Sequence, residues 1–277
     1  MDSLVSTDWL ADALGAPELK LLDATLFLPN SDRDARAEYE AAHIPGARFM
    51  DLDGIADPES SLPHTFPPPY IFASRMRALG VGDSDRIVLY DNSPLHSAAR
   101  GWWMLRTYGA KDVAILDGGL GLWKAEGRPV ENGYAATRHG HFTPLLDERV
   151  LIDKAGVSML GGDDEVVDAR PVARFRGEVA EPRVGVAAGH IPRSKNLPQS
   201  DLFDAAGGWK RGDALRAAFA AAGVDLAKPM VTTCGSGVTA AVLLFGAHLL
   251  GKEDVRLYDG SWSEWGSDPA TPKETGG

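Results

Sequence analysis

The chain has one cysteine, Cys234, and its neighbours suit it for chemistry. It follows the run Met230-Val231-Thr232-Thr233 and precedes Gly235-Ser236-Gly237-Val238-Thr239, after which apolar residues continue to Leu250. The pattern is strand, tight loop, helix. A loop in that position, freed by two glycines, can turn its backbone N–H groups inward, and with the helix N-terminus they form an anion cup. Such a cup favours thiolate over thiol. It would also hold a persulfide or a developing negative charge. A lone cysteine without this context is more often a small buried hydrophobe. The strand, the paired glycines and the helix together outweigh that reading. With one cysteine there is no intrachain disulfide and no cysteine-based metal cluster.

The elements that position Cys234 are written twice in the chain. Leu21–Thr25 (LLDAT) has a partner in Val166–Arg170 (VVDAR), and His43-Ile44-Pro45 in His190-Ile191-Pro192. Ala78–Val81 pairs with Ala221–Val224, and Arg86–Asp91 with Pro229–Cys234. Leu116–Gly119 pairs with Tyr258–Ser261, and Trp123 with Trp265. The order is the same and the offsets run from 142 to 147 residues, as expected of a duplicated domain with altered loops. The join falls in the polar stretch Glu131–Leu146, giving a first domain of 1–138 and a second of 139–277. Each copy alternates short apolar runs (Leu19–Leu22, Ile87–Tyr90 and Val113–Leu116; Glu165–Val167, Met230–Thr233 and Val255–Tyr258) with helical segments. Those segments are Ile71–Leu79 and Ser97–Tyr108 in the first copy, Asp213–Ala222 and Gly237–Leu250 in the second. The expected fold class is α/β, each domain a mainly parallel sheet with helices on both faces. Ligands then gather at the carboxyl ends of strands. The first copy has Asp91 in the cysteine position, so it is expected to be catalytically inactive.

The repeat and the loop Cys234-Gly235-Ser236-Gly237-Val238-Thr239 resemble the rhodanese-like sulfurtransferases, and within them the branch whose donor is 3-mercaptopyruvate. The resemblance covers nearly the whole chain. It implies tandem rhodanese-like domains, a persulfide on the second domain's cysteine, and no metal or organic cofactor. Thiosulfate-preferring members tend to carry basic residues where Gly235 and Ser236 stand, so the uncharged loop points to mercaptopyruvate. The segment Ala173-Arg174-Phe175-Arg176-Gly177, followed by Glu181-Pro182-Arg183, resembles the family's substrate-binding segment. On that resemblance Arg174 and Arg183 anchor the donor's carboxylate and carbonyl, with Arg176 in reserve; a planar guanidinium suits that task. Gly235, Gly237, Val238 and Thr239 complete the binding loop. The resemblance also maps Asp53 and His64 onto an acid–histidine pair that works with Ser236 in proton transfer. His43 and His190 occupy matching turns in both copies and are assigned to structure. Trp102, Trp103, Trp123, Trp262 and Trp265 read as core or interface anchors.

Three rivals follow from the same residues. A thiosulfate:cyanide sulfurtransferase differs in donor. A non-catalytic sulfur-delivery or binding module often lacks the cysteine that this chain keeps. A cysteine-dependent phosphatase needs an arginine six residues past the cysteine, where this chain has Ala240. The expected acceptor is a thiol such as thioredoxin, or cyanide in an assay. The net charge of −11 argues against nucleic acid or an anionic membrane as main partner. No apolar run reaches the roughly 18 residues of a membrane span. The first residues, MDSLVSTDWL, have neither a basic region nor a signal core, so the expected location is cytoplasmic.

Overall fold

A computed structural model describes residues 1–28, 31–134 and 137–277. Ala135 and Ala136, inside the stretch read as the join, lie outside the described residues. The chain forms two compact units, Met1–Pro58 with Phe66–Asp147, and Glu59–Thr65 with Glu148–Gly277.

The first unit contains β1 (Leu4–Val5), α1 (Thr7–Ala13), β2 (Leu19–Asp23), α2 (Ala35–Ala41), β3 (Arg48–Phe49), α3 (Leu52–Ile55), α4 (Pro69–Ala78), β4 (Arg86–Tyr90), α5 (Ala98–Thr107), β5 (Asp112–Leu116) and α6 (Gly119–Ala125). The second contains β6 (Leu151–Ile152), α7 (Lys154–Ser158), β7 (Glu165–Asp168), α8 (Val172–Phe175), β8 (Lys195–Asn196), α9 (Gly212–Ala221), β9 (Met230–Thr233), α10 (Ala240–Leu249), β10 (Val255–Tyr258) and α11 (Ser261–Trp265). Strand order is β1-β5-β4-β2-β3 in the first sheet and β6-β10-β9-β7-β8 in the second, the same permutation twice. Every pairing between these strands is parallel. Each sheet is flanked by helices, as in an α/β fold.

The central strands β4 and β9 are almost wholly buried, which explains their continuous apolar or β-branched sequence. The edge strands β1, β3, β6 and β8 are two residues long, too short to show a period of their own. Local signals set the helix starts. Ser6 and Asp34 cap α1 and α2 by accepting the N–H groups of Trp9 and Ala37. Pro69 opens α4 at a position where no N–H is required. Residues Ala240–Ala247 of α10 are all buried, consistent with a sequence apolar on every side. Among the described residues no helix is long and apolar enough to cross a membrane.

The repeat extends to side-chain contacts. His43 Nδ1 is hydrogen-bonded to Tyr39 O and its ring stacks on Tyr39. His190 Nδ1 is hydrogen-bonded to Phe175 O and its ring stacks on Phe175. Trp123 Nε1 donates to Pro129 O and Trp265 Nε1 to Pro272 O, both at the foot of the last helix of their unit. These pairs do architectural work. Most elements start and end within one or two residues of their expected bounds; the largest departure is α10, which begins at Ala240 and not at Gly237. Gly237 has φ +79°, outside the helical region, so the chain stays in a loop through Thr239.

Candidate active site

The loop 234–239 leaves the carboxyl end of β9, between β10 on one side and β7 on the other. Cys234 is 2% exposed and Ser236 5%. Ser261, the first residue of α11 after β10, organises the loop. Its hydroxyl accepts the N–H groups of Cys234 (3.2 Å) and Gly237 (3.1 Å) and donates to Tyr258 O (2.8 Å). The N–H groups of Trp262 and Ser263 bind the carbonyls of Cys234 and Gly235 from the same helix. Ser263 Oγ also donates to Gly235 O at 2.6 Å. Ser261 has φ +49°, a left-handed conformation costly for a residue with a Cβ and tolerated where surroundings hold it. Its three hydrogen bonds supply that hold. Two donors of the expected cup are therefore taken by Ser261. Among the described residues, the N–H groups of Gly235, Ser236, Val238 and Thr239 have no partner within the chain.

The two loop glycines have different reasons to be glycine. Gly237 needs its positive φ. Gly235 does not; a Cβ built there would stand 3.0 Å from Arg174 Nη2. Arg174, on α8 just past β7, thus lies over the loop. It is held by Glu181, whose Oε1 accepts Arg174 Nε at 3.2 Å and whose Oε2 accepts Arg174 Nη2 at 2.5 Å. Glu181 Oε1 also accepts Arg170 Nη1 at 3.0 Å. Arg170 is buried. It donates to both Asp168 oxygens and to Gly189 O, and lies 4.6 Å over the Trp262 ring. Burial opposes the charge on Arg170, but Asp168, Glu181 and the neighbouring Cys234 sulfur outweigh it and raise its pKa.

His64 reaches this site from the segment 59–65, which belongs to the second unit. Its Nδ1 and Ser236 Oγ are hydrogen-bonded at 2.8 Å. His64 has φ +58°, again an uncommon conformation for a non-glycine residue. The segment is braced by Thr65 Oγ1, which donates to Leu62 O and is hydrogen-bonded to Ser60 Oγ. The structure thus brings together Cys234, Gly235, Ser236, Gly237, Arg174 and His64. Arg183 is half-buried in the loop between α8 and β8. Asp53 lies in α3 of the first unit, where its carbonyl accepts the Ala56 N–H. Arg176, exposed, stands 3.9 Å from Glu178.

The matching loop of the first unit is closed on itself. Asp91 accepts the N–H groups of Ser93 (3.0 Å) and Ala98 (2.8 Å), so its own carboxylate takes donors that line the loop. Burial pushes that carboxyl up to about 7, against the pull of the two N–H groups.

Sequence reading missed Ser261, Arg170 and Glu181. Two of them stand where the copies disagree: Gly119 against Ser261, and Thr25 against Arg170. That divergence was a usable signal.

The profile of the Rhodanese-like domain matches residues 6–126 and 154–268. The 3-mercaptopyruvate sulfurtransferase of Escherichia coli K12 is 41% identical over 273 residues, which cover 98% of this chain and 97% of the relative. The human protein of the same name is 43% identical, over 95% of this chain and 91% of its own length. A thiosulfate sulfurtransferase of Gallus gallus is 37% identical over 95% and 93%. The solved structure of SseA from E. coli, a 3-mercaptopyruvate sulfotransferase of rhodanese fold, aligns with TM-score 0.87 and 40% identity over 95% of this chain and all of its own. Tum1 of Saccharomyces cerevisiae aligns with TM-score 0.89 and 28% identity over 98% of both chains. Both halves match the profile and relatives above 40% identity span nearly the full length, so this chain belongs to the rhodanese-like domain family.

Proposed function

We propose that this protein is a 3-mercaptopyruvate sulfurtransferase that carries sulfur as a persulfide on Cys234. One observation carries the choice of donor: Arg174, its charge matched by Glu181, lies over an uncharged Gly235-Ser236 loop, with His64 bonded to Ser236. That suits a monocarboxylate thiol better than the thiosulfate dianion. Relatives in E. coli and humans bear the same activity in their names.

In the proposed reaction Arg174 and Arg183 hold the donor's carboxylate and carbonyl. The Cys234 thiolate attacks the donor sulfur. The new S–S bond forms as the donor's C–S bond breaks, and the C–S electron pair goes to carbon as the enolate of pyruvate. The donor's thiol proton ends on that carbon. Ser236 and His64 relay it, and Asp53 supports His64. The loop N–H groups of Gly235, Ser236, Val238 and Thr239 are the donors available to hold the charge of the persulfide. A thiol acceptor, such as reduced thioredoxin, or cyanide in an assay, then removes the outer sulfur. The covalent intermediate makes the kinetics ping-pong. The second domain, 139–277, carries the reacting cysteine; the first, 1–138, has Asp91 in that position and carries no sulfur. The reaction is assigned to the cytoplasm, with neither nucleic acid nor a membrane as partner.

Thiosulfate is a second, slower donor in this reading, favoured by plant relatives named for both substrates. The test is initial rates with 3-mercaptopyruvate and thiosulfate at one acceptor, with Cys234→Ser beside the wild type. A preference for mercaptopyruvate that the substitution abolishes is expected. A preference for thiosulfate would overturn the donor assignment.

A further inference from the structure

Glu181 is used by no step above, yet it is among the most constrained groups of the second unit. Its side chain is 4% exposed, and both its oxygens bind guanidinium groups. The effect on Arg174 is geometric. A guanidinium has two edges able to take a carboxylate in bidentate fashion, Nε with Nη2 and Nη1 with Nη2. Glu181 occupies the first. The second faces the cysteine loop, because a Cβ on Gly235 would lie 3.0 Å from Nη2 and 3.7 Å from Nη1. Arg170 keeps Glu181 from following Arg174 outward, since Asp168, Gly189 O and the Trp262 ring fix Arg170. The effect on charge is as direct. Asp168 and Glu181 balance Arg170 and Arg174, so this cluster carries no surplus positive charge toward a donor.

We propose that Glu181 is a positioning residue that fixes which edge of Arg174 the donor meets and keeps the anchor charge matched to a monocarboxylate. The proposal rests on the reading of Arg174 as the donor's anchor.

The test uses the full chain with Glu181→Gln, Glu181→Asp, Arg174→Ala and the double variant Arg174→Ala with Glu181→Gln. Active sites are counted by the pyruvate burst without acceptor. Glu181→Gln is expected to raise KM for 3-mercaptopyruvate by about tenfold or more, with kcat per active site within about threefold of wild type. For thiosulfate the same variant is expected to keep or lower KM, because the cluster gains one positive charge. Opposed shifts for two donors are not a signature of general loosening. In the Arg174→Ala background the Glu181→Gln change is expected to add nothing further to KM. Glu181→Asp keeps the charge but is too short to serve both arginines, and is expected to raise KM by less. If Glu181→Gln does not fold, the Asp variant decides, and an unchanged KM there overturns the proposal. So does a Glu181→Gln effect that is equal for both donors or persists without Arg174. An Arg174→Ala variant with wild-type KM overturns the anchor reading and this proposal with it. That failure is recognised by the variant in which it appears.

Discussion

At the scale of single residues, the site depends on groups that do not react. Ser261 is the clearest. Its hydroxyl accepts two buried N–H groups of the cysteine loop while its backbone sits at φ +49°. In Ser261→Ala those donors lose their acceptor inside the fold, and each stranded buried donor costs about 1–3 kcal/mol. The expected outcome is a lower unfolding free energy in denaturant together with reduced turnover, since the same N–H groups set the shape of the loop. Unchanged stability and rate would show that the loop holds itself. Gly235 teaches a related lesson. Its place in the loop suggests a demand of backbone conformation, whereas the structure gives it an ordinary φ and sets the Arg174 guanidinium 3.0 Å from where a Cβ would stand. A sequence shows that a glycine is present, but which neighbour excludes a side chain depends on contacts made across more than fifty residues.

At the scale of elements, the strand–loop–helix unit recurs with opposite chemistry. After β9 the loop presents a thiol. After β4 the equivalent loop is filled by its own carboxylate, Asp91, whose pKa burial pushes up to about 7 from 3.8. A raised folded-state pKa means that the protonated form favours folding. The stabilisation is fully present below the unfolded value and lost as pH rises through about 7. Asp91→Asn cannot ionise, so it is expected to flatten the fall in unfolding free energy between about pH 4 and pH 7. Denaturant titrations at several pH values check this by their slope; an equal slope in both proteins would contradict the burial argument. The central strands and long helices were legible because burial on both faces, or on every side of α10, forces continuous apolar sequence. The start of α10 was not, because apolar content runs through Val238 while Gly237 breaks the helical backbone. The edge strands β1, β3, β6 and β8 were not either, since two residues cannot display a periodicity.

At the scale of the whole molecule, the duplication reads best where it fails. The two units share strand order, the buried histidine stacked on an aromatic ring, and the tryptophan that donates to a proline carbonyl. They differ at Asp91 and Cys234, at Thr25 and Arg170, and at Gly119 and Ser261. In the second unit all three positions meet in one place: the thiol, the serine that shapes its loop, and the arginine that holds Glu181. Common residues maintain the fold and divergent ones mark the chemistry. The central claim is that Cys234 itself carries the sulfur. The most direct measurement is one turnover without added acceptor: wild type and Cys234→Ser each mixed with one equivalent of 3-mercaptopyruvate, pyruvate quantified, and the intact protein and its Cys234 peptide weighed. The account predicts one pyruvate per wild-type chain, a mass gain of one sulfur atom on the Cys234 peptide that a thiol acceptor removes, and neither event in the variant. Pyruvate released with no added sulfur on Cys234, or equal release by Cys234→Ser, would contradict it.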